Sequence, residues 1–386
     1  MKTFFLLIAF AVANTHASDL IVGLNSEDLT PDVSEQIPLG GYGDKVRRNW
    51  PIDFNQMAPH LRLFKPALGN LDPIRSKVMY LKKDNKQLLF ISLDLIGVTK
   101  EMHSDLIKKL APIGFVSKDV IISGTHTHSG PGALAKNTFW AAVAMDRFQK
   151  KFYNRFLDGI VESVKTAMKN STEGELYQLS FETEKLQNNR RGNHRPLNRT
   201  ANLLMAKSKN GLWLGGIIHF AVHGTSLDSD NFYFSSDVPG AIEREVENLM
   251  NNENGFVYAK DKTHFLFIQG AEGDVSPHYG YLQMGKEFAA QVSNNLSQTI
   301  MIQSDWENKE QEINLGKSGV TLSKCADQKW IPKNFSLGIK KWINPDSTIS
   351  QIRIGDLWLL TWPGEPTTEL GNQLISLAKA NGAHSA

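Results

Sequence analysis

Residues 121–132 read Ile-Ile-Ser-Gly-Thr-His-Thr-His-Ser-Gly-Pro-Gly, a β-branched run that stops at two histidines one residue apart and then at a turn. Side chains alternate in extended backbone, so His126 and His128 are expected to face the same way. Gly130, Pro131 and Gly132 force a sharp turn and are expected to present backbone amides. A strand end of this kind suits a metal ion or a developing negative charge, and it favours a hydrolase over a binding module.

The same pattern recurs on both sides of this stretch. Residues 87–95 read as a strand and 99–110 as a helix with apolar spacing, and 119–123 form the strand that delivers the histidine pair. Residues 148–169 carry a helical period through Phe152, Phe156, Ile160, Val161, Val164 and Met168. Residues 214–222 make another strand, ending at His223. A helix over 238–250 follows, then a short strand, 264–268, that runs into QGAEGDVSP. Residues 351–354 and 357–361 read as a hairpin turning at Gly355-Asp356, and 366–379 as the last helix. The Gly- and Pro-rich residues 19–75 read as irregular structure. His126, His223, Asp274 and Glu365 each fall just after a predicted strand, and ligands of α/β sheets gather beyond strand carboxyl ends. The expected fold is therefore α/β, a mixed central sheet flanked by helices in a single catalytic domain.

The chain has 386 residues, 41% hydrophobic and 21% charged, with a formal net charge of +2. That is enough apolar material for a sizeable core. There is no basic block or interleaved basic-aromatic run, so nucleic acid is not expected as a partner. Residues 1–17 read as a secretory signal peptide: Lys2 supplies the charge, Phe4 to Ala13 the apolar region and Thr15-His16-Ala17 the exit. The apolar run is about ten residues, half of the ~20 that a spanning helix needs. The expectation is a secreted or periplasmic protein whose domain occupies residues 18–386. Cys325 is the only cysteine, which excludes an intrachain disulfide. Acceptor sequons stand at Asn170, Asn198, Asn295 and Asn334.

His126, His223 and Glu365 together make the three-ligand set of a catalytic zinc site, with one position left for water. Imidazole and carboxylate suit zinc better than magnesium or calcium, which take oxygen shells. Each residue also has an ordinary reading: a hydrogen-bonded histidine pair, a satisfied core histidine, and a helix N-terminal acid before residues 366–379. Their joint placement after strands is what favours metal. Gly273 to Pro277, GDVSP, offers Ser276 as a nucleophile with Asp274 as its orienting acid, or alternatively an Asx or Ser turn before a proline. The strand-to-helix nucleophile elbow G-x-S-x-G is absent. So are a P-loop, a dinucleotide fingerprint and an HExxH helix, and THTHSGPG lacks the aspartate of an HxHxDH site.

The chain resembles the neutral (non-lysosomal) ceramidase family. The resemblance is carried by ISLDLIGV (91–98), SGTHTHSGPG (123–132), NNRR (188–191), FAVHGTSL (220–227), SSDVPGAIE (235–243), AEGDVSP (271–277) and LTWPGEPTTELG (360–371). Members are zinc amidases that split ceramide into sphingosine and a fatty acid. The resemblance implies one catalytic zinc held by His126, His223 and Glu365, with His128 beside it to stabilise an oxyanion. It also implies a substrate-contacting Arg190 and a Ser276 important for activity, as nucleophile or as positioning group. Asp94 would back a metal-bound histidine. The implied partner is an N-acyl lipid such as ceramide, with peripheral contact at a membrane surface. The family site also uses a tyrosine beyond the glutamate, and this sequence has no tyrosine after Glu365. The C-terminal part of the family's domain and its β-sandwich domain have no counterpart either. Two alternatives stay open: a zinc hydrolase of the same fold acting on a different amide or ester, and a non-catalytic lipid-binding relative.

Overall fold

The computed structural model describes residues 19–49, 62–255, 262–316, 319–321, 336–338 and 346–383. Its core is built from one scheme used twice. In the first half, strands β1 (Ile21–Asp28), β2 (Arg75–Lys83) and β3 (Lys86–Leu93) run antiparallel, and helix α1 (Lys100–Leu110) crosses over to β4 (Val120–Gly124), parallel to β3. Helix α2 (Lys150–Lys169) leads into the second half. There β5 (Thr172–Glu182), β6 (Thr200–Ser208) and β7 (Trp213–Phe220) are antiparallel, and α3 (Asp237–Glu253) crosses over to β8 (His264–Gln269), parallel to β7. Helix α4 (Tyr281–Asn295) follows.

The strand order is β8-β7-β6-β5-β1-β2-β3-β4, with Ile300–Ile302 added on β5. Among the described residues the strand pairing between the two halves of this sheet is limited to Ile21 and Val22 with Glu173 and Thr172, and the sheet doubles over at that seam. Ser92 Oγ on β3 accordingly donates to the Phe267 carbonyl on β8 at 2.6 Å, although these strands lie near opposite ends of the order. Strand alternation sorts the side chains into three layers. Met79, Leu81, Leu88 and Phe90 meet Leu204, Ile217 and Leu266 between the two sheets. Val78, Tyr80, Leu89 and Ile91 face outward onto Leu106 of α1 and Phe156 and Ile160 of α2. Leu203, Met205, Ile218, Phe265 and Phe267 face outward onto Ile242, Val246 and Phe288 of α3 and α4. Strands buried on both faces need near-continuous apolar runs, which is why residues 87–95 and 264–268 read as they do. Buried Lys77 of β2 ties the layers, its Nζ 3.0 Å from Glu243 and 2.9 Å from Glu247 of α3.

The mixed sheet flanked by helices agrees with the expectation, and α1 starts where its spacing predicts, with the Thr99 hydroxyl accepting from the Met102 amide at 3.1 Å. The reading of residues 19–75 as irregular does not hold: they contain β1, at the centre of the sheet. Its IVGLNSED pattern breaks apolar alternation because Asn25 turns to α2 and donates to Ser163 Oγ at 3.0 Å. The hairpin at Gly355 is present as Asp346–Ile354 and Leu357–Leu360, with Trp306–Asn314 as a third strand. Helix α5 (Thr368–Ala380) ends the described chain. The signal-peptide reading of residues 1–17 and Cys325 fall outside the described residues. Among the described residues no helix is long and apolar enough to cross a membrane.

Candidate metal centre

The loops after β4, β7 and β8 meet at one end of the doubled sheet. Gln269, the last residue of β8, donates through Nε2 to the Thr125 carbonyl at 2.8 Å and to the Val222 carbonyl at 2.6 Å. One side chain thus ties the two histidine-bearing loops together. Thr127 pairs with Gly224 in a parallel bridge, and the His128 amide donates to the Gly224 carbonyl at 3.1 Å.

The strand ends at Gly124, and His126 itself is left-handed, with φ +63°. A non-glycine residue in that region carries strain that the surroundings must hold. Here the His126 amide donates to the Leu95 carbonyl at 3.0 Å, and Nδ1 lies 2.7 Å from the Ile96 carbonyl. The extended geometry expected for His-x-His is therefore not what aligns the pair, yet His126 Nε2 and His128 Nε2 lie only 3.4 Å apart. His223 Nδ1 lies 2.9 Å from the Glu272 carbonyl. A carbonyl only accepts, so the Nδ1 of His126 and of His223 each carries a proton. In the neutral ring both Nε2 atoms then present lone pairs, and they are 3.2 Å apart. Glu365 Oε2 is 3.4 Å from each. Three electron-rich atoms at these separations, with both rings oriented from behind, are a donor set for a divalent cation, and two imidazoles with a carboxylate fit zinc.

Glu365 is brought in from the far end of the chain by backbone contacts. The Gly273 amide donates to the Pro366 carbonyl at 2.9 Å. The Asp274 carboxylate accepts from the Thr368 amide (2.8 Å), from Thr368 Oγ1 (2.9 Å) and from Asn189 Nδ2 (3.1 Å). Asp274 thus anchors the Glu365 segment and does not orient Ser276. Ser276 Oγ instead faces the Asn188 carbonyl at 3.4 Å, and among the described residues no hydrogen bond joins it to the two histidines or Glu365. Asp94 accepts from the Arg75 amide at 2.8 Å and from Thr125 Oγ1 at 3.2 Å. The atom behind His126 is the Ile96 carbonyl, not this carboxylate. The turn amides expected to be free are in part used: Ser129 donates to Thr127 Oγ1 and Gly132 to the Pro38 carbonyl.

The charges are unevenly held. With no cation between them, it is the protonated Nε2–H groups of His126 and His223 that hydrogen-bond the Glu365 carboxyl and hold it well below the usual carboxylate range. Burial alone would lower His126, but Glu365 outweighs it and the net shift is upward. Burial, then the two neighbouring imidazoles, drives His128 far down, so it is neutral at pH 7. Its Nδ1 is buried with no hydrogen-bond partner. Arg190 Nη2 lies 2.9 Å from His223 Nε2 and 3.0 Å from the Gly273 carbonyl. A guanidinium only donates, so that imidazole lone pair can serve Arg190 or a metal, but not both at once.

Three neighbours were not foreseen from the sequence. Glu272 is 4% exposed, and one of its carboxylate oxygens, one of Glu365 and a ring nitrogen of His126 lie within 4.8 Å of one another. Burial pushes its carboxyl up to about 7. The Tyr42 ring packs on His128 with centroids 4.7 Å apart, and buried Arg47 donates through Nη1 to the His128 carbonyl at 2.6 Å. The available signal was the GGYG stretch at 40–43. Gly41 has φ +121°, and a Cβ there would come within 2.8 Å of His128 Cα, so only glycine lets this loop cover the histidine.

The doubled α/β sheet thus gathers two histidines and a carboxylate beyond its strand ends, a cluster of the kind that could hold a divalent cation. The family described as neutral/alkaline non-lysosomal ceramidase, N-terminal, matches residues 73–282, and the chain belongs to this family. The neutral ceramidase of Pseudomonas aeruginosa is 25% identical over 270 residues, 66% of this chain and 37% of that protein. Neutral ceramidase B of Dictyostelium discoideum is 23% identical over 284 residues, 69% of this chain and 37% of its own. The matches span well under half the length of these curated relatives. The crystal structure of the Pseudomonas aeruginosa neutral ceramidase has the same fold, with a TM-score of 0.77 at 19% identity over 95% of this chain and 66% of that one. A ceramidase complexed with C2 matches with a TM-score of 0.75.

Proposed function

We propose that this chain is a zinc-dependent amidohydrolase that cleaves the amide bond of an N-acyl lipid, with ceramide the first substrate to test. The observation that carries the reading is the convergence of His126 Nε2, His223 Nε2 and Glu365 Oε2 within 3.4 Å, with both imidazoles held from behind by carbonyls. Family membership supports the choice of ceramide. His126, His223 and Glu365 would hold the ion. When bound, zinc lowers the pKa of a water to about 7 and polarises a carbonyl oxygen.

The other residues have separable tasks. Neutral His128 has one ring N–H to give, and its Nε2 faces the metal ligands, so it can donate to the oxygen on which negative charge develops. To protonate the departing amine, the same imidazole would first have to take up the proton that the attacking water gives up. Tyr42 and Arg47 fix it, one by packing and one through its carbonyl. Burial pushes the Tyr42 hydroxyl up to about 12 and keeps it protonated. Arg190 brings a positive charge to the rim beside Gly273, suited to a polar group of the substrate. Ser276, on the strand Val275–Pro277 across from Gln187–Asn189, belongs to the same rim as a positioning group.

The test is metal analysis of the purified protein and turnover of a labelled ceramide, with His126→Ala and His223→Ala alongside. Expected are one zinc per chain, turnover by the parent protein, and loss of both in each variant. Unchanged turnover in both variants would defeat the mechanism. Bound zinc with turnover only of N-acyl amino acids or simple acyl amides would keep the chemistry and replace the substrate.

A further inference from the structure

The geometry points to Glu272 as a further protein ligand of the metal that His126, His223 and Glu365 would hold. This rests on the metal reading above and adds a residue to it. The carboxylate sits in a triad with Glu365 and His126 whose ligand atoms all lie within 4.8 Å of one another. It is nearly inaccessible, at 4% exposure. The carboxylate takes a hydrogen bond from its own backbone amide, and among the described residues none from another residue, which leaves acceptor capacity for a cation. Glu272 is also fixed on this spot by its own backbone. Its carbonyl takes the His223 Nδ1 proton at 2.9 Å and also accepts from the Val275 amide at 2.8 Å. The residue that orients one imidazole therefore directs its own side chain to the other.

Charge supports the same conclusion. Two neutral imidazoles and Glu365 leave a divalent ion with one uncompensated positive charge. Glu272 brings the set to neutrality, and the ion in turn removes the repulsion between two carboxylates held side by side. The donor set becomes two nitrogens and two carboxylate oxygens.

The experiment is a zinc titration of the chelator-stripped protein against a chromophoric competitor, paired with the visible spectrum of the cobalt(II)-loaded form. It compares the parent chain, Glu272→Gln, Glu272→His and Glu365→Gln. Loss of a ligand should weaken zinc binding by at least the ~10-fold typical of disturbing a metal-ligand shell, so Glu272→Gln should fall in the same direction as Glu365→Gln. The cobalt bands of Glu272→Gln should change, and those of Glu272→His should shift as nitrogen replaces oxygen. If Glu272→Gln does not fold, the histidine variant carries the test through its spectrum. Zinc affinity within two-fold of the parent, or unaltered cobalt bands in both Glu272 variants, would overturn this assignment and leave the three-ligand reading standing. A parent chain that binds no zinc would overturn both.

Discussion

Gly273→Ala tests how tightly the Glu365 segment is fitted to the loop after β8. An added Cβ would lie 2.4 Å from the Glu365 carbonyl oxygen and 2.9 Å from that of Pro366. Both are backbone atoms and cannot rotate away as a side chain would. Ordinary contact begins at about 3.4 Å, so the segment must retreat by about 1 Å. Gly273 is not in the left-handed region, so this contact is the whole penalty. The Glu365 carboxylate travels with that backbone, away from two imidazoles that are now 3.4 Å from it. Metal–ligand distances tolerate only about 0.2 Å, and a 1 Å misplacement costs roughly 100-fold in a reacting geometry, about 2.7 kcal/mol of barrier. The expected result is a ~100-fold fall in turnover with weakened zinc binding and an overpacking cost of about 1–3 kcal/mol in denaturant unfolding. A folded Gly273→Ala protein with turnover and zinc affinity within about three-fold of the parent would refute the inference that this glycine sets the position of Glu365.

Two further predictions concern the scaffold. Lys77→Met removes the cation paired with buried Glu243 and half-buried Glu247, and uncompensated buried charge typically costs 3–5 kcal/mol; chemical denaturation should read a loss of that order, and a loss below about 1 kcal/mol would show that the pair is not what ties the layers. Burial holds His219 down at about 4, against an unfolded value near 6.5. The native ring is then neutral while the unfolded one takes a proton, so its contribution is complete above about pH 6.5 and is lost as pH falls towards 4. At 1.36 kcal/mol per pH unit the limit is about 3 kcal/mol. Between pH 6.5 and 4 the parent protein should therefore lose up to this much stability relative to His219→Gln, and parallel stability curves would contradict the argument.

Legibility from the sequence followed burial. The β3 run at 88–93 and the β8 run at 264–269 were readable because both their faces are covered, one by helices and one by the opposite sheet. Helix α2 was readable because its single buried stripe repeats at helical spacing. β1 was not, because Asn25 and Ser26 interrupt the alternation and the strand is held by its pairing with β2. β5 and β6 carry no clear local signal either: β5 has Glu173 and Glu182 on exposed positions and Glu175 on a half-buried one, and its place is set by pairing with β6. At the site, His126, His223 and Glu365 stood out as polar residues just after strands. Glu272 follows a strand too, but a single acid in AEGDVSP is indistinguishable from turn polarity. Tyr42 and Arg47 lie in a stretch with no local periodicity, and their contact with His128 depends on chain closure over more than eighty residues.

The doubling of the sheet is the step that local patterns do not encode, and the candidate metal centre depends on it. In an open sheet with the observed strand order, β4 and β8 would stand seven spacings apart, roughly 34 Å at about 4.8 Å per strand. His126 leaves the end of β4 and Glu272 the end of β8, yet their ligand atoms lie within 4.8 Å. No adjustment of loops of two or three residues covers such a gap, so closure of the two halves must create the site. The donors are divided accordingly: His126 comes from the first half, His223 and Glu272 from the second, and Glu365 from the segment pinned by Asp274. An ion held by this set binds the closed arrangement and has no equivalent partner in the open one. Its binding free energy is therefore also free energy for closing the sheet. The buried Lys77 pairs, the Ser92–Phe267 bond and the Gln269 bridge hold the same interface together at different depths. The geometry of the candidate site and tertiary closure are in this sense one equilibrium, and a substitution that loosens the seam should reach His126, His223 and Glu365 before it reaches the outer helices.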